Sequence, residues 1–377
     1  MAGVLEKRRE LLRHMRDLTL ENGFFTVNDI AGLTNIPRST VQDWVNRLIE
    51  EKCVLTREEK RGRFPARYIT TSAMLQTACK RIFTTVDGEN IAIFHECRSG
   101  GCAAFCRHHH SIAGGILTKA HREGTLLIEY AKLNDNDKEK KPNPSIGLYP
   151  ASAVGVVGIK KSKDNIIQKI RCIGGPAYSL TDMMKMAEGV CDVTLEYNGN
   201  LVEGEVVTRA LTHLIIGIDD TDTQEGGATF ALALGLLQYL GKLNGVIPIG
   251  HRVVMLNPDL KECTAGNSCS FIEIAVKPEE VLHIKNLAVR FVEDESLSEN
   301  WGIAIKCGFS ISGSLRKYGM SARNKIINLD QSLKTAEENN LFVAGKKGII
   351  GAVAAVSFRG LANEILLDPL KTPFDEL

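Results

Sequence analysis

The sequence of 377 residues contains no long apolar run, few aromatic residues and almost no net charge. No segment approaches the roughly 18 continuous apolar residues of a membrane-spanning helix, so we expect no membrane partner. The N-terminus is charged from Glu6 onward and lacks the apolar stretch of a secretory signal. The net charge of +1 excludes a polycation, so any contact with nucleic acid must come from a local basic face.

The ten cysteines stand in a chain without an export signal, which favours reduced thiols or metal ligands over a disulfide framework. We therefore expect a cytoplasmic protein. The length is sufficient for two or three domains. We expect a multidomain chain, with an α+β winged helix at residues 1–72, an α/β middle region at 73–210, an α/β or α+β nucleotide-binding domain at 211–365 and a tail at 366–377.

The first seventy residues show the pattern of a winged helix-turn-helix. Apolar residues at helical spacing predict a helix over residues 5–20. Thr26, followed three positions later by Asp29, has the form of a capping box and predicts a second helix over 27–33. Pro37 suits the first position of a third helix over 38–51. Two β-rich runs, at 54–56 and 67–70, enclose a basic hairpin tip, the predicted wing.

Nucleic acid is the predicted partner of this module. In such a fold the third helix enters the major groove and the wing contacts phosphate or the minor groove. Residues 1–70 contain 13 lysines and arginines against 10 acidic residues. The basic residues of the wing are Arg57, Lys60, Arg61, Arg63 and Arg67. The candidate contact residues of the third helix are Arg38, Ser39, Thr40, Gln42, Asn46 and Arg47. DNA and RNA both remain open, and the alternative is a module that packs against a protein partner or forms a homodimer.

Three carboxylates follow the apolar strand predicted at residues 213–218. Asp219, Asp220 and Asp222 stand within four residues and precede an apolar helix predicted at 228–240. Three negative charges at a strand end are unfavourable without a cation. Mg²⁺ is a hard ion that takes oxygen ligands and bridges to phosphate. The loop therefore indicates a metal-bound phosphate site.

The residues after the carboxylates agree with that interpretation. Gly226 and Gly227 let backbone N–H groups approach an anion, and the N-terminus of the next helix favours phosphate. Thr229 lies in the first turn of that helix, where its hydroxyl could contact or accept a phosphoryl group. The alternative is an acidic surface turn in which Thr221 and Asp222 cap the helix.

Three further motifs follow Gly217-Ile218-Asp219-Asp220-Thr221-Asp222 in order. They are Leu256-Asn257-Pro258, Thr264-Ala265-Gly266-Asn267 and Gly348-Ile349-Ile350-Gly351-Ala352-Val353-Ala354-Ala355. Together the four motifs resemble the kinase-like domain of the archaeal agmatinylcytidine synthetases that modify an isoleucine tRNA. The resemblance covers residues 212–360. Proteins catalogued as methanogenesis markers also look similar around the first loop.

The resemblance implies that ATP and Mg²⁺ bind at Asp219, Asp220 and Asp222. It places Thr229 where the family has a threonine implicated in phosphoryl transfer, and it adds Thr264, Gly266 and Asn267 to the same site. The implied chemistry is ATP-driven activation of an oxygen. The family's Thr-Arg-Gly-Asn arginine is Ala265 here, so Arg316, Lys317 or Lys347 would have to supply the cation. We expect no counterpart of the family's OB-fold and zinc ribbon after residue 365, and hence a different substrate.

A cluster of soft metal ligands lies between residues 95 and 110. Cys97, Cys102, Cys106 and His108 could together hold Zn²⁺ or an iron–sulfur cluster. Their spacing matches neither a zinc finger nor the bacterial ferredoxin motif. The alternative is a helix that buries Cys102 and Cys106 and exposes its histidines.

Two main classes of function fit these observations, and a third option, an assembly factor for a metalloenzyme that uses the cysteine cluster and ATP, stays open. The first is an Mg²⁺- and ATP-dependent enzyme, kinase- or ligase-like, that transfers a phosphoryl or nucleotidyl group and docks nucleic acid through its winged helix. The second is a DNA-binding transcriptional regulator whose C-terminal domain senses a nucleotide or a phosphorylated metabolite. The three carboxylates favour the enzyme, because metal-bound phosphate with a nearby hydroxyl suits group transfer.

Overall fold

The computed structural model describes residues 2–60, 62–74, 78–134, 146, 153–173, 181, 183–199, 201–260 and 266–372. The chain divides into two compact units, Met1–Cys79 and Lys80–Leu377. Two predicted contact residues, Arg61 and Thr264, lie outside the described residues. In the described part of the chain, no helix is both long and apolar enough to cross a membrane.

The first unit consists of helices followed by a two-stranded antiparallel sheet. Its elements are α1 (Ala2–Asn22), α2 (Val27–Thr34), α3 (Arg38–Glu50), β1 (Val54–Glu58), β2 (Arg67–Thr70) and α4 (Thr71–Met74). The capping box is confirmed, since Thr26 accepts from the Asp29 N–H and Asp29 accepts from the Thr26 N–H. Pro37 is the N-cap of α3 rather than its first residue. One face of each helix packs on a core that includes Met15, Ile30 and Val45.

The second unit contains a large mixed sheet. Its strands are β3 (Cys79–Asp87), β4 (Asn90–Cys97), β5 (Lys119–Glu123), β6 (Leu126–Lys132), β7 (Ala153–Ser162), β8 (Asn165–Ile173), β9 (Val190–Asn198), β10 (Leu201–Asp219), β11 (Ile247–Met255), β12 (Ser268–Val276), β13 (Gly302–Cys307) and β14 (Phe342–Gly345). Its helices are α5 (Gly100–Ile112), α6 (Thr229–Leu240), α7 (Val281–Glu295), α8 (Gly313–Asn324), α9 (Leu329–Glu338), α10 (Ile349–Ser357) and α11 (Asn363–Leu367).

Strand β10 connects the two parts of this sheet. Residues 201–209 pair antiparallel with β8 and with β9, residues 210–212 pair in parallel with β3, and residues 212–219 lie between β12 and β13. The expected boundary between residues 210 and 211 therefore falls inside a continuous strand. The residues that the sequence assigns to a middle region and a nucleotide-binding domain share one sheet and one compact unit.

The part of the middle region that is described is mainly β-structure. Strands β8 and β9 flank β10, and α5 is the long helix of this part. Among the residues described between 181 and 189, Thr181, Met183 and Met184 are helical. Glu188 already bridges to Arg81, and Val190 begins β9, so the chain has returned to the sheet.

Helices cover both faces of the sheet where β10, β12 and β13 meet. Alternate residues of a strand point to opposite faces. Leu214, Ile216 and Ile218 accordingly pack with α6 and α7, whereas Ile215 packs with α8 and α10. The last of the four sequence motifs, at residues 348–355, lies almost entirely in the helix α10, whose residues from Ala352 to Val356 are fully buried. The C-terminal end of β10 thus emerges between two helical layers.

Candidate active site

Asp219, the last residue of β10, lies against the first turn of α10. Its side chain lies on the face of β10 that α10 covers, whereas the side chain of the preceding residue, Ile218, lies on the other face. A Cβ at Gly351 would meet Asp219 Oδ2 at 1.7 Å, and a Cβ at Gly217 would meet the Ala352 carbonyl oxygen at 2.1 Å. The two glycines therefore let the helix approach close enough to enclose one side of the Asp219 carboxylate.

Asp220 adopts a left-handed backbone conformation with φ of 56°. A residue other than glycine in this region costs on the order of 1–3 kcal/mol, and such strain often occurs at functional sites. Neighbouring contacts hold the conformation. The Ser298 hydroxyl donates to Asp220 Oδ1 at 3.3 Å, and the Leu297 and Ser298 N–H groups donate to the Thr221 carbonyl at 2.9 and 3.3 Å.

Thr229 lies in the first turn of α6, as predicted, but it is buried beneath the loop. Its hydroxyl donates to Asp222 Oδ1 at 2.8 Å. The Thr229 hydroxyl oxygen in turn accepts from the Thr221 N–H at 3.3 Å and from the Thr221 hydroxyl at 3.1 Å. The group that the sequence assigned to phosphate therefore orients Asp222 in this structure. No side chain caps the N-terminus of α6 at Ala228.

Gly226 and Gly227 shape the loop between the carboxylates and α6. Gly226 and Thr223 exchange backbone hydrogen bonds of 2.9 and 3.3 Å, so the Gly226 N–H is used within the turn. Gly227 has φ of 89°, and a Cβ there would lie 3.1 Å from the Asp222 Cβ. Neither glycine lines the cavity described next, and their role in this structure is to bend the chain.

A cavity of about 630 Å³ opens beside the three carboxylates. Its acidic lining residues are Asp219, Asp220 and Asp222. Its apolar lining residues include Leu256, Leu260, Ile326, Ile327 and Leu329. Lys325, Lys347, Asn267 and Asn328 add cationic and amide groups. One space thus combines carboxylates, cations and an apolar surface.

Burial and neighbouring negative charge raise the pKa of two of the carboxylates, Asp219 and Asp220. Burial raises the pKa of Asp219 well above its usual range, and the charges of Asp220 and Asp222 raise it further, against a hydrogen bond from the Asp220 backbone. Although Asp219 faces the cavity, the protein around it excludes most of the water. Burial and Asp222 also raise the pKa of Asp220, while Ser298 and Lys347 oppose that rise. A cation bound here would relieve this repulsion.

Oxygen ligands beside a space of this size suit Mg²⁺. In the described part of the chain, no three His, Cys, Asp or Glu side chains already have the arrangement of a metal-binding group. Mg²⁺ commonly uses only one or two carboxylates, together with phosphate oxygens and water. The three aspartates therefore fit the ion as partners of a bound phosphate rather than as a complete set of ligands.

Lys347 is the proposed replacement cation that reaches this site. It lines the cavity, and its charge lowers the pKa of Asp220. Arg316 instead donates to the Arg359 carbonyl at 2.9 Å, and its burial lowers its pKa to about 10. Neither Arg316 nor Lys317 is among the residues described around the cavity.

Asn267 connects two of the sequence motifs. Its side-chain amide donates to the Asn257 backbone carbonyl at 2.6 Å. Its backbone carbonyl accepts from the Leu256 N–H at 2.9 Å. Gly266, just before it, has φ of 89°, which explains a glycine at this position. Gly266 does not line the cavity among the described residues, whereas Asn267 does.

The segment 325–329 and Ser298 were missed by the sequence analysis. The segment precedes α9, whose N-cap Asn328 forms a capping box with Gln331. That pattern is readable in the sequence and could have marked a loop and a helix start. Ser298 has no such signal, because its role depends on a contact with a residue 78 positions away.

Part of the chain is similar to known tRNA-modifying enzymes. A stretch of 156 residues, 39% of the chain, is 31% identical to the tRNA 2-agmatinylcytidine synthetase TiaS of Thermococcus sibiricus and covers 35% of that protein. The TiaS of Pyrobaculum neutrophilum is 31% identical over 150 residues, which cover 34% of it. The similarity is partial. The chain matches about a third of the length of these synthetases.

A longer match exists to a protein without an assigned activity. The uncharacterized protein MJ0921 of Methanocaldococcus jannaschii is 28% identical over 284 residues, which are 73% of this chain and 89% of that protein. The solved complex of TiaS with its tRNA and ATP matches 39% of this chain and 36% of its own, with 23% identity and a TM-score of 0.36. No protein-family model matches the chain.

The predicted nucleic-acid residues of α3 are mostly exposed. Arg38, Ser39, Asn46 and Arg47 are exposed, while Thr40 and Gln42 are half-buried. Gln42 donates to Asn46 Oδ1 at 3.0 Å. The helix thus presents a continuous polar face in the first unit.

The predicted basic wing is smaller than the sequence indicated. Arg57 donates to the Gly23 carbonyl, and Arg67 pairs with Glu58 and stacks on Phe24, 4.3 Å from the ring centre. These two arginines stabilise the unit itself. The exposed basic residues described near the tip are Lys60 and Arg63.

The cysteines of the soft-ligand cluster lie together, but His108 does not join them. Hydrogen bonds from Cys106 and Cys102 lower the pKa of Cys97 to about 7, with burial opposing them. His108 is exposed and packs edge-on against His109. Among the described residues, these cysteines do not have the arrangement of a metal-binding group, either by themselves or with a neighbouring His, Asp or Glu.

A buried polar network that the sequence analysis missed lies beside the cysteines. His110 Nδ1 and Glu129 Oε1 are 2.6 Å apart, and His95 Nε2 lies 3.4 Å from Glu129 Oε2. Burial lowers the pKa of His95 to about 4. Burial also opposes charge on His110, but the Glu129 carboxylate outweighs it and raises the pKa of that imidazole. Glu129 comes from β6, so only the fold brings it to the histidines.

Proposed function

We propose that the cavity binds ATP with Mg²⁺ and that the protein transfers a phosphoryl or nucleotidyl group to an oxygen of an RNA substrate. One observation carries the proposal: three aspartates and Lys347 line the same cavity at the end of β10. The apolar lining residues provide a surface for a nucleobase, and the carboxylates and Lys347 provide a place for a metal ion and phosphate. This combination matches the chemistry of a nucleotide, whose base is apolar on its faces and whose phosphates are anionic.

The chain's own residues have distinct roles in this proposal. Asp219 and Asp220 would hold the ion, and Asp222 is oriented by the buried Thr229 hydroxyl. Lys347 would contact a phosphate oxygen, as Lys does in many phosphate sites. A bound Mg²⁺ supplies charge neutralisation at the phosphoryl oxygens. Asn267 and Lys325, on the cavity wall, would fix the remaining part of the nucleotide.

The first unit supports RNA as the substrate class. Three helices and a β-hairpin are what a winged helix-turn-helix requires, and α3 presents Arg38, Ser39 and Arg47 to solvent. The partial similarity to tRNA 2-agmatinylcytidine synthetases supports tRNA over DNA. We propose that this unit docks RNA while the second unit carries out the transfer. The homodimer and the link to methanogenesis markers stay predictions, as does a metal at the cysteines.

Nucleotide turnover with bulk tRNA tests the proposal directly. ADP or AMP release from Mg²⁺-ATP is measured for the wild type, Asp220→Asn and the control Asp192→Asn. Asp192 is an exposed aspartate on β9, far from the carboxylate loop in the sequence. We expect Asp220→Asn to lose at least about 100-fold in turnover, because an electrostatic group at the reacting centre is removed. The Asp192→Asn variant should behave as the wild type.

Other results would reject parts of the proposal. Tight ATP binding without turnover, in the presence of tRNA, would sink the enzyme and favour a DNA-binding regulator that senses a nucleotide. Turnover stimulated by duplex DNA but not by tRNA would exclude RNA as the substrate class. Equal turnover in Asp220→Asn and the wild type would remove the carboxylates from the mechanism.

A further inference from the structure

Three thiols meet where β4 passes into α5, away from the nucleotide cavity. Cys97 is the last residue of β4. Ser99 caps α5 by accepting from the Cys102 N–H at 3.2 Å, so the strand turns almost directly into the helix. Cys102 and Cys106 are four residues apart on that helix and therefore lie on the same side of it. Both thiols are in hydrogen-bond contact with Cys97.

The geometry of a disulfide excludes one of the three possible pairs. A disulfide needs Cβ atoms about 3.5–4.5 Å apart. Residues four apart on a helix have Cβ atoms about 5–6 Å apart, so Cys102 and Cys106 cannot bond without distorting α5. Cys97 lies on a different element and is free of that restriction. Both helix cysteines remain possible partners, and the hydrogen bond with Cys106 lowers the pKa of Cys97 more than the one with Cys102 does.

The exposure of the thiols indicates which cysteine reacts first with an oxidant. Cys97 is only 3% exposed, whereas Cys102 and Cys106 are half-buried and reachable from solvent. A small oxidant would therefore meet a helix cysteine first, and the buried cysteine would complete the reaction. None of the three takes part in a disulfide in this structure.

We propose that Cys97 and Cys106 form a modification site at which a small-molecule disulfide oxidises the pair to an internal disulfide. The Cys106 thiolate attacks one sulfur of R–S–S–R, which forms a mixed disulfide and releases R–S⁻. The Cys97 thiolate then attacks the Cys106 sulfur, forms the Cys97–Cys106 bond and releases the second R–S⁻. The two cysteines are oxidised, R–S–S–R is reduced to two thiols, and the cysteine protons end on these.

The contacts of α5 show which part of the helix the disulfide would hold in place. His110, one turn beyond Cys106, is held by the buried Glu129 on β6, 2.6 Å away. The C-terminal half of α5 is thus already tied to the sheet. The Cys97–Cys106 bond would tie the middle of the helix to the end of β4. Oxidation would therefore anchor α5 to the sheet at a second point.

Peptide mapping of the full-length protein tests the proposal. The reduced protein is treated with glutathione disulfide, quenched with iodoacetamide and digested with trypsin. Cleavage after Arg81, Arg98 and Arg107 puts Cys97 in peptide 82–98, and puts Cys102 and Cys106 in peptide 99–107. We expect these two peptides joined by one disulfide, with Cys102 alkylated. The exposed Cys191 and Cys307 serve as internal controls that acquire only glutathione.

Single substitutions identify the pair. Cys102→Ser should keep the linked peptides, Cys106→Ser should abolish them, and Cys97→Ser should leave glutathione on Cys106. A bond inside peptide 99–107 would overturn the proposal, as would glutathione on the cluster without any link. Stoichiometric zinc or iron in the purified protein, with thiols that react only after chelation, would also overturn it and favour a metal site. The wild-type result stands even if a variant fails to fold.

Discussion

Replacing Gly351 by alanine should separate activity from stability. The new methyl group would lie 1.7 Å from Asp219 Oδ2, so either the carboxylate or α10 has to move. The helix is the more rigid of the two. Ala352, Val353 and Ala354 are fully buried, and Tyr318 donates to the Ile350 carbonyl at 2.9 Å. We therefore expect the Asp219 side chain to leave its position.

The size of the effect follows from opposing contributions. Adding a methyl group to a packed interior costs about 1–3 kcal/mol. Alanine in place of glycine within a helix returns about 1 kcal/mol. The free energy of unfolding should therefore fall by about 0–2 kcal/mol. Displacing a positioned group by about 1 Å costs on the order of 100-fold in rate, so ATP turnover should fall by about that factor.

Turnover and urea denaturation of the same preparations check this expectation. Gly313→Ala is the matched control, because Gly313 begins α8 and a Cβ there meets nothing within 4 Å. The control should keep full turnover and lose no stability. Unchanged turnover in Gly351→Ala would refute the role assigned to Asp219. A loss of stability well above 2 kcal/mol would show that the helix moves instead, contrary to the packing argument.

Three further outcomes can be measured independently. Arg359→Met should lower the free energy of unfolding in urea by about 3–5 kcal/mol. The reason is that the substitution removes the guanidinium 2.8 Å from the largely buried Glu273 carboxylate. A loss below about 1 kcal/mol would contradict this expectation. Burial lowers the pKa of His95 from 6.5 to about 4, so protonation favours the unfolded chain as the pH falls through that window. The wild type should lose on the order of 3 kcal/mol there, and His95→Gln should remove this part of the pH dependence of urea unfolding. Arg63→Ala should reduce the slope of log binding constant against log salt for tRNA by about 0.7–0.9, and an unchanged slope would exclude a phosphate contact.

Local signals made much of the architecture predictable. The capping box at Thr26 and Asp29 spans only four residues, and the structure has both of its hydrogen bonds. The strand, acidic loop and apolar helix around Asp219 also follow from short-range periodicity. Each of these features depends on residues within one or two turns of the chain, and for that reason the sequence alone could indicate them.

Features that depend on distant contacts were not predictable in the same way. The 19 residues of β10 form one strand because three different sets of neighbours pair along its length. No single window of sequence contains those neighbours. His108 and His110 look equivalent in the sequence, but only His110 faces Glu129 on β6. Thr229 was correctly placed at the helix start, while the direction of its hydroxyl depended on the folded loop.

The site is where the chain departs most from local preference. Asp220 has a left-handed backbone conformation. The neighbouring Asp219 carboxyl group lies where burial and two like charges oppose its ionisation. Neither feature would persist in an isolated loop. Buried clusters on both faces of β10 hold the strand end, and Ser298 and the Thr221 carbonyl fix the loop. Because burial and the two like charges both act against the negative charge of Asp219, a bound cation would relieve these two terms together. The stability of this loop should therefore rise on adding Mg²⁺-nucleotide, and protection of its amides from hydrogen exchange would show it.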